Sequence, residues 1–516
     1  MSRPSDLLKV LSLLSFTALI GQGCTLAYDF SECTPSDCEE GFTCDTESGL
    51  CVSDTSTGSD TLVDGVSRDA IRTVGIADIS GSLQDLGEGM RDGVLAAYAA
   101  HNASGTGRYT FEHSMRDDKY DPMKTVQFAD EVTKDQRNGE GRIAFAVVGS
   151  MGSPTSSAML PTLNERQVPL FGTYSGANHL RKEVPDRMVW NTRASYRLEG
   201  ETITKHLLNR DPNPVPPENI FAFSQSPLDI TTQGKADLSR AVAAGEDGSL
   251  DPYGLSGYTG IVDALKDELG SQTDIPLASY RATGTKSTIA QNFYFRWLGG
   301  LETRFDGPNL DATTPQIGIS MIAVASAAND FVQGVINGMN TLGSGEKPDA
   351  LSQAEWDAID PDRKLKLRNL ALTITSISPV GDQLAINLES AGANIYCTGE
   401  YPILVSQVVP FPNGQSGGAI QFREELDARD SNVDPGYVNF EGWIAGKVFV
   451  AAVESIEGEV TVDSLIETLE DPSFSVDLRI GSPISFSSGS HDGSNTVYGS
   501  LLADGCTYEE FTFQDQ

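Results

Sequence analysis

The sequence predicts an α/β protein whose sheets are mostly parallel and covered by helices on both faces. Three observations predict it. Short β-type runs alternate with helix-sized segments over most of the chain. At 516 residues the chain is too long for one simple core and suits two compact bodies with additions. Hydrophobic residues make up 39%, enough for a large interior. Repeated βα units imply parallel strands, because each helix carries the chain back to start the next strand in the same direction.

The N-terminus reads as an address rather than as fold. Arg3 and Lys9 precede an apolar run, Val10 to Ile20, that is only 11 residues long. A membrane-spanning helix needs about 20 residues, so the run is expected to be an export signal. It ends in Gly21-Gln22-Gly23-Cys24, small residues before a cysteine, as in a bacterial lipobox; Gly21 stands where a Leu is usual. Residues 1–24 are therefore expected to be a lipoprotein signal with Cys24 lipidated. The rival is ordinary cleavage after Ala27 and secretion.

Seven cysteines are present, and Cys24 leaves six. Cys33, Cys38, Cys44 and Cys51 crowd residues 25–52, a segment too short to bury a core, so two disulfides are expected to hold it. Metal binding is the alternative, but no C-x-x-C pair is present. The pairing stays open. Cys397 and Cys506 remain as candidates for one further staple. Residues 53–70 are rich in Ser, Thr, Asp and Gly and read as a flexible linker.

From Arg72 the strand and helix rhythm begins. Strands are expected at Arg72–Ala77, Ile143–Val148, Val168–Phe171 and Ile220–Phe223. Helices are expected at Gly89–Ala100, Ser156–Glu165 and Glu199–Leu208. Gly260–Leu269, Gln316–Val324, Asp330–Met339 and Ile403–Val409 continue the pattern. Asp211–Pro217 reads as a rigid loop, and Ser226–Leu250, Leu301–Thr314 and Gly343–Asp362 as polar surface insertions. In such sheets ligands bind at the carboxyl ends of the strands.

Acidic residues outnumber basic ones 72 to 36, a formal charge of -36. Such a surface repels phosphate backbones, so nucleic acid is not expected as a partner. No H-E-x-x-H, Walker A or dinucleotide fingerprint is present, and the chain is not expected to be an enzyme or to hold a cofactor or metal.

The strand-end segments resemble a known family. Asp78-Ile79-Ser80-Gly81-Ser82-Leu83 with Arg91-Asp92-Gly93, Asp117-Asp118 with Pro122, Val148 to Ala158, Pro169 to Ala177 and Asn191 to Tyr196 resemble, in order, the first half of the branched-chain amino-acid binding proteins of ABC importers. Asp251-Pro252-Tyr253-Gly254, Val405 to Pro412, Phe440 to Lys447 and Ser485 to Ser494 resemble the second half. The resemblance implies the two-lobed type I periplasmic-binding fold with three crossings. It places lobe 1 at 71–195 and 408–482, and lobe 2 at 196–407 and 483–516, with Cys397 and Cys506 both in lobe 2. It implies capture of a small organic solute between the lobes, delivery to an ABC permease, and a membrane link through the lipid anchor only. A sensory or scaffolding lipoprotein with the same fold is the alternative, favoured by the Cys-rich module and linker.

The implied ligand contacts are Gly152, Ser153 and Thr155 in one loop and Tyr174, Ser175 and Gly176 in another, with Leu86, Tyr196 and Tyr253 covering the apolar part. Helix N-termini and hydroxyls in those loops suit a carboxylate. Ser and Thr before helices also serve as N-caps. Two departures stand out: the family has Thr where Gly176 aligns, and an acid near Pro379-Val380-Gly381, where this chain has Val380 with Asp382 nearby. His179 and His491 are expected at the surface.

Overall fold

The computed structural model describes residues 42–45, 50–53, 64–134, 141–225, 252–269, 275–280, 287–390, 401–503 and 505–513. It divides into two units, Met1–Asp60 and Thr61–Gln516. In the first, β1 (Phe42–Asp45) and β2 (Leu50–Ser53) form an antiparallel hairpin that sets Cys44 opposite Cys51. Cys24, Cys33, Cys38 and Cys397 lie outside the described residues, as does Ser226–Leu250. Cys506 is disulfide-bonded.

The second unit contains two sheets. The first is built from β3 (Ala70–Ala77), β4 (Thr110–Asp117), β5 (Ala146–Val148), β6 (Leu170–Phe171) and β7 (Val189–Trp190), in the spatial order β4-β3-β5-β6-β7 with every pair parallel. The connecting helices are α1 (Gln84–Ser104), α2 (Pro122–Thr133) and α3 (Ser153–Glu165). Val74, Ile76, Val147, Val148, Leu170 and Phe171 are fully buried. Continuous apolar strands of this kind need helices on both faces.

The chain then passes through α4 (Tyr196–Asn209), β8 (Ile220–Gln225), α5 (Pro252–Leu269), β9 (Leu277–Tyr280), α6 (Ser287–Leu298), β10 (Gln316–Ile322) and α7 (Ala325–Ser344). After these come α8 (Gln353–Ala358), α9 (Pro361–Leu367), β11 (Ala371–Ser376), α10 (Gln383–Ser390) and β12 (Ile403–Gln407). It returns to the first lobe as α11 (Gly417–Arg429), α12 (Tyr437–Glu454) and α13 (Val462–Glu470). α12 lies against α1 so closely that a Cβ on Gly93 would collide with the Asn439 carbonyl oxygen. It ends with β13 (Tyr498–Ala503) and β14 (Thr507–Phe511).

The second sheet runs β9-β8-β10-β11-β12-β13-β14, parallel up to β12 and antiparallel in the last two pairs. Its first five strands repeat the strand order of the first sheet. Each lobe is thus doubly wound, with a switch point where neighbouring strands send their helices to opposite sides. In the first lobe this is the β3/β5 boundary, in the second the β8/β10 boundary.

Two expectations are corrected. Gly343–Asp362 is not plain surface decoration: Ser352 and Glu355 form a reciprocal capping box on α8, and Leu351 and Ile359 are each 2% exposed within the second core. His491 is buried rather than superficial. Its ring stacks on Trp190 at 3.6 Å, and its Nδ1 lies 2.9 Å from the Val189 carbonyl oxygen. This ties the third crossing to the first, where the Asn191 N–H donates to the His491 carbonyl at 2.9 Å and the Gly493 N–H to the Asn191 carbonyl at 2.8 Å. His179 is half-buried, and burial lowers its pKa to about 4.

Candidate functional site

Three loops leave the carboxyl ends of β3, β5 and β6 side by side. In the first, the fully buried Asp78 carboxylate accepts the N–H groups of Ser80 (3.2 Å), Gly81 (2.5 Å) and Leu83 (3.0 Å). An acid can satisfy several donors at once, so it fixes the turn into α1. That turn presents Leu86 to Ala77, Met90, Met151, Tyr174 and Val438, a small apolar cluster of the first lobe.

In the second loop Gly152 has φ +107°, and a Cβ there would collide with the Thr155 hydroxyl, so glycine suits the turn both in backbone and in space. Ser153 opens α3, but α3 has no side-chain cap at all. The Ser153 hydroxyl instead lies 2.9 Å from that of Ser175 in the third loop. Thr155 Oγ1 donates to the Met151 carbonyl, just ahead of the helix, at 2.7 Å. The N-cap role weighed for these residues is therefore absent at Ser153.

The third loop is pinned by the Tyr174 N–H on the Ser150 carbonyl (2.7 Å) and by the Gly176 carbonyl, which accepts the Tyr196 N–H at 2.8 Å. Arg181, which the sequence did not single out, donates to the carbonyls of Ser175, Ala177 and Arg193 at 3.1–3.2 Å. It also pairs with Asp492 at 3.1 Å. Thr173 is 2% exposed, and its hydroxyl has no hydrogen-bond partner among the described residues.

From the second lobe, Tyr253 meets Tyr196 edge to face, ring centroids 4.9 Å apart. Ser256 Oγ accepts the Asn178 N–H at 2.8 Å, and Asp382 Oδ2 accepts the Tyr437 N–H at 3.2 Å, both across the lobes. The lobes are closed upon each other. All the predicted contacts with side chains (Leu86, Ser153, Thr155, Tyr174, Ser175, Tyr196 and Tyr253) are buried, at 7% exposure or less.

Sequence reasoning missed the ionic centre between them. Arg193, 1% exposed, sits in the first crossing. Its Nη2 donates to Glu199 Oε1 (2.8 Å) and Ser378 Oγ (2.6 Å), and its Nη1 to Glu441 Oε1 (3.2 Å). Its guanidinium carbon also lies 5.1 Å and 5.0 Å from the ring centres of Tyr174 and Tyr196. Glu199 further accepts from the Ser378 N–H (2.8 Å), Ser378 Oγ (3.0 Å) and Ser406 Oγ (2.7 Å). Burial works against the charged guanidinium, yet Glu441, Tyr196 and Glu199 hold its pKa above the usual arginine value. Burial pushes the Glu441 carboxyl up to about 7 against the pull of Arg193, and the charge of Glu199 adds to the rise. The signal available in the sequence was the charge pattern Arg193…Glu199 flanking an apolar crossing, opposite Glu441 in an apolar helix. Among the described residues no group of three His, Cys, Asp or Glu is placed to hold a metal.

Residues 71–267 match the model of a periplasmic binding protein family. Over the larger body, solved structures decide the architecture. A possible leucine/isoleucine/valine-binding protein from Rhodopirellula baltica superposes with a TM-score of 0.63 at 21% identity, covering 87% of this chain and 98% of its own. The chain has the type I periplasmic-binding fold. A fatty acid ABC transporter substrate-binding protein from Thermomonospora curvata shares that fold at a TM-score of 0.60 and 15% identity, over 89% of this chain and 97% of its own. So does a leucine-binding protein from Thermotoga maritima, at 0.56 and 13%, over 86% and 97%. No curated protein matches by sequence. In doubly wound sheets ligands bind at the carboxyl ends of the strands beside the switch point, and the loops after β3 and β5 flank that point here, with the loop after β6 next to them.

Proposed function

We propose that the protein is an extracytoplasmic solute-binding lipoprotein that captures a small organic solute, an amino acid or a related carboxylate or amide, between its lobes for ABC-type import. The observation that carries this is the meeting of Ser153, first residue of α3, with Ser175 at 2.9 Å in the switch-point crevice. Hydroxyls at a helix N-terminus suit an anionic or strongly accepting group. The adjoining Leu86, Met90, Met151, Tyr174 and Val438 suit an apolar body. Branched-chain amino acids and fatty acids, named for two of the related folds, share that combination. Leu86, Gly152, Ser153, Thr155, Tyr174, Ser175, Gly176, Tyr196 and Tyr253 are the proposed contacts, and Cys24 the proposed anchor.

A thermal-shift screen of amino acids, aromatic and aliphatic acids, amides and short peptides tests it. A bound solute stabilises the folded state by mass action and raises Tm. Silence across all of these classes would remove the receptor role.

A second reading, a sensory or scaffolding lipoprotein, is favoured by the internal use of the site's hydrogen-bonding groups: Ser153 with Ser175, and Arg193 with Glu199 and Glu441. Uptake of a screen hit by cells lacking the gene separates the two. Lost uptake supports import, and unchanged uptake supports the second reading.

A further inference from the structure

We propose that the two lobes close with uptake of protons, through the seam where the first turns of α12 in the first lobe meet Arg193 of the crossing and Glu199 and Asp382 of the second lobe. The geometry puts two carboxylates one helical turn apart along this seam. At the second residue position, Glu441 of α12 reaches Arg193, which is itself fastened to Glu199 of α4 and Ser378 behind β11. At the first, Asp382 of the second lobe accepts the Tyr437 N–H at the start of α12. Hinge opening about the crossings would part Asp382 from the start of α12, and Arg193 with Glu441 from Glu199 and Ser378, and so admit water to both acids.

The groups around Glu441 are Arg193 from the crossing, Glu199 and Tyr196 from α4, Tyr174 from the loop after β6, and Arg181 beyond it. Arg181 is balanced by Asp492. Thus Arg193 is left to serve two buried carboxylates, Glu199 and Glu441. Glu199 takes the shorter contact at 2.8 Å plus three donors from serines, while Glu441 keeps contacts of 3.2 and 3.4 Å to a single nitrogen. Glu441 is therefore the member that a proton suits. Around Asp382 stand Tyr437 from α12 and Tyr508 from β14, with Glu510 behind Tyr437, and none of these groups is basic.

Burial raises Asp382 to about 6 and Glu441 to about 7 in the closed form. Opening to water returns each toward the usual carboxylate range. A group whose pKa is higher in the closed state binds a proton on closing, so closure is favoured as pH falls. The closed-to-open ratio should drop by up to about ten-fold per pH unit for each such proton, as pH rises through about 4 to 6 for Asp382 and about 4 to 7 for Glu441, and level off above. In function, a mildly acidic compartment would hold a captured solute, and neutral pH would ease release.

The inference rests on reading the lobes as a hinged pair. Small-angle scattering on the full chain between about pH 5 and pH 8 gives the radius of gyration and tests it. The wild type should expand as pH rises. Glu441→Gln with Asp382→Asn should stay compact throughout, since both amides mimic the protonated acids. A control pair of exposed acids, Glu165→Gln with Glu389→Gln, should keep the wild-type curve. A flat wild-type curve, an unchanged curve in the seam variant, or a flattened curve in the control would each overturn the latch. Should Glu441→Gln fail to fold by circular dichroism, Asp382→Asn alone must flatten the acid part of the curve, or the latch falls. A solute that compacts the chain with no response to pH removes the latch and leaves the hinged pair standing. A radius that answers to neither removes both.

Discussion

Ser153 Oγ and Ser175 Oγ are 2.9 Å apart, joining the loop after β5 to the loop after β6. Both side chains are buried, at 3% and 0% exposure. The two hydroxyls hydrogen-bond each other, and Ser175 Oγ also accepts the Ala177 N–H at 3.3 Å.

That pairing separates stability from binding. Ser175→Ala strands the buried Ser153 hydroxyl and should cost about 1–3 kcal/mol in urea unfolding, whereas Ser153→Ala leaves Ser175 Oγ the Ala177 N–H at 3.3 Å and should cost less. The double substitution removes both partners and should cost less than the sum of the singles. Affinity for a solute found by thermal shift should nevertheless be lost in the double variant. If affinity survives, these serines do not line the site.

Arg193 carries a heavier structural duty. Arg193→Met leaves Glu199 and Glu441 buried without their cation and should destabilise the fold by about 3–5 kcal/mol. Arg193→Lys should not rescue it, because one ammonium lacks the planar fork that reaches Glu199, Ser378 and Glu441 together. Adding Glu199→Gln and Glu441→Gln to Arg193→Met should recover part of the loss. Urea denaturation of the series checks this, and a single Arg193→Met as stable as wild type would contradict it.

Asp118 gives a pH dependence of known sign. It is fully buried, accepts Thr125 Oγ1 (2.7 Å) and the Tyr120 N–H (2.9 Å), and burial raises it to about 6. The folded value lies above the unfolded one, so its contribution favours the fold at acid pH and is lost as pH climbs through about 4 to 6. Asp118→Asn should stabilise the fold at pH 7.5 by on the order of 1–2 kcal/mol, seen as a higher Tm, and remove that slope from a pH series. A lower Tm at that pH would refute the account.

Asp78 organises the first loop through three N–H groups. Asp78→Ala should cost about 2–4 kcal/mol, since charged acceptors make the stronger hydrogen bonds. Because Leu86 follows this turn, solute affinity should fall with it. Limited proteolysis and thermal shift together read both effects, and an unaltered cleavage pattern would count against the loop's dependence on Asp78.

Local pattern made much of the fold legible. The buried runs at Val74–Ala77 and Ile220–Phe223 read as strands because parallel strands covered on both faces are apolar without alternation. Helices α3 and α4 were visible from residues of the right spacing, though each starts three residues earlier than the periodicity indicated, at Ser153 and Tyr196. β4 escaped because its edge position leaves every residue but Phe111 at least partly exposed, and polar residues outward. α8 and α9 escaped because a six- or seven-residue helix completes too few turns to show a period.

The sequence by itself determined the alternation of strands and helices, the glycine-bearing turns at the strand ends, and the order of the three loops, since these depend on neighbours a few residues apart. Only the tertiary structure decided that Ser153 answers Ser175 rather than capping α3. Only it decided that Arg193 stands between Glu199 and Glu441, the latter 248 positions away from it. A buried charge must find its partner wherever the chain brings one, and no local rule of spacing records that meeting.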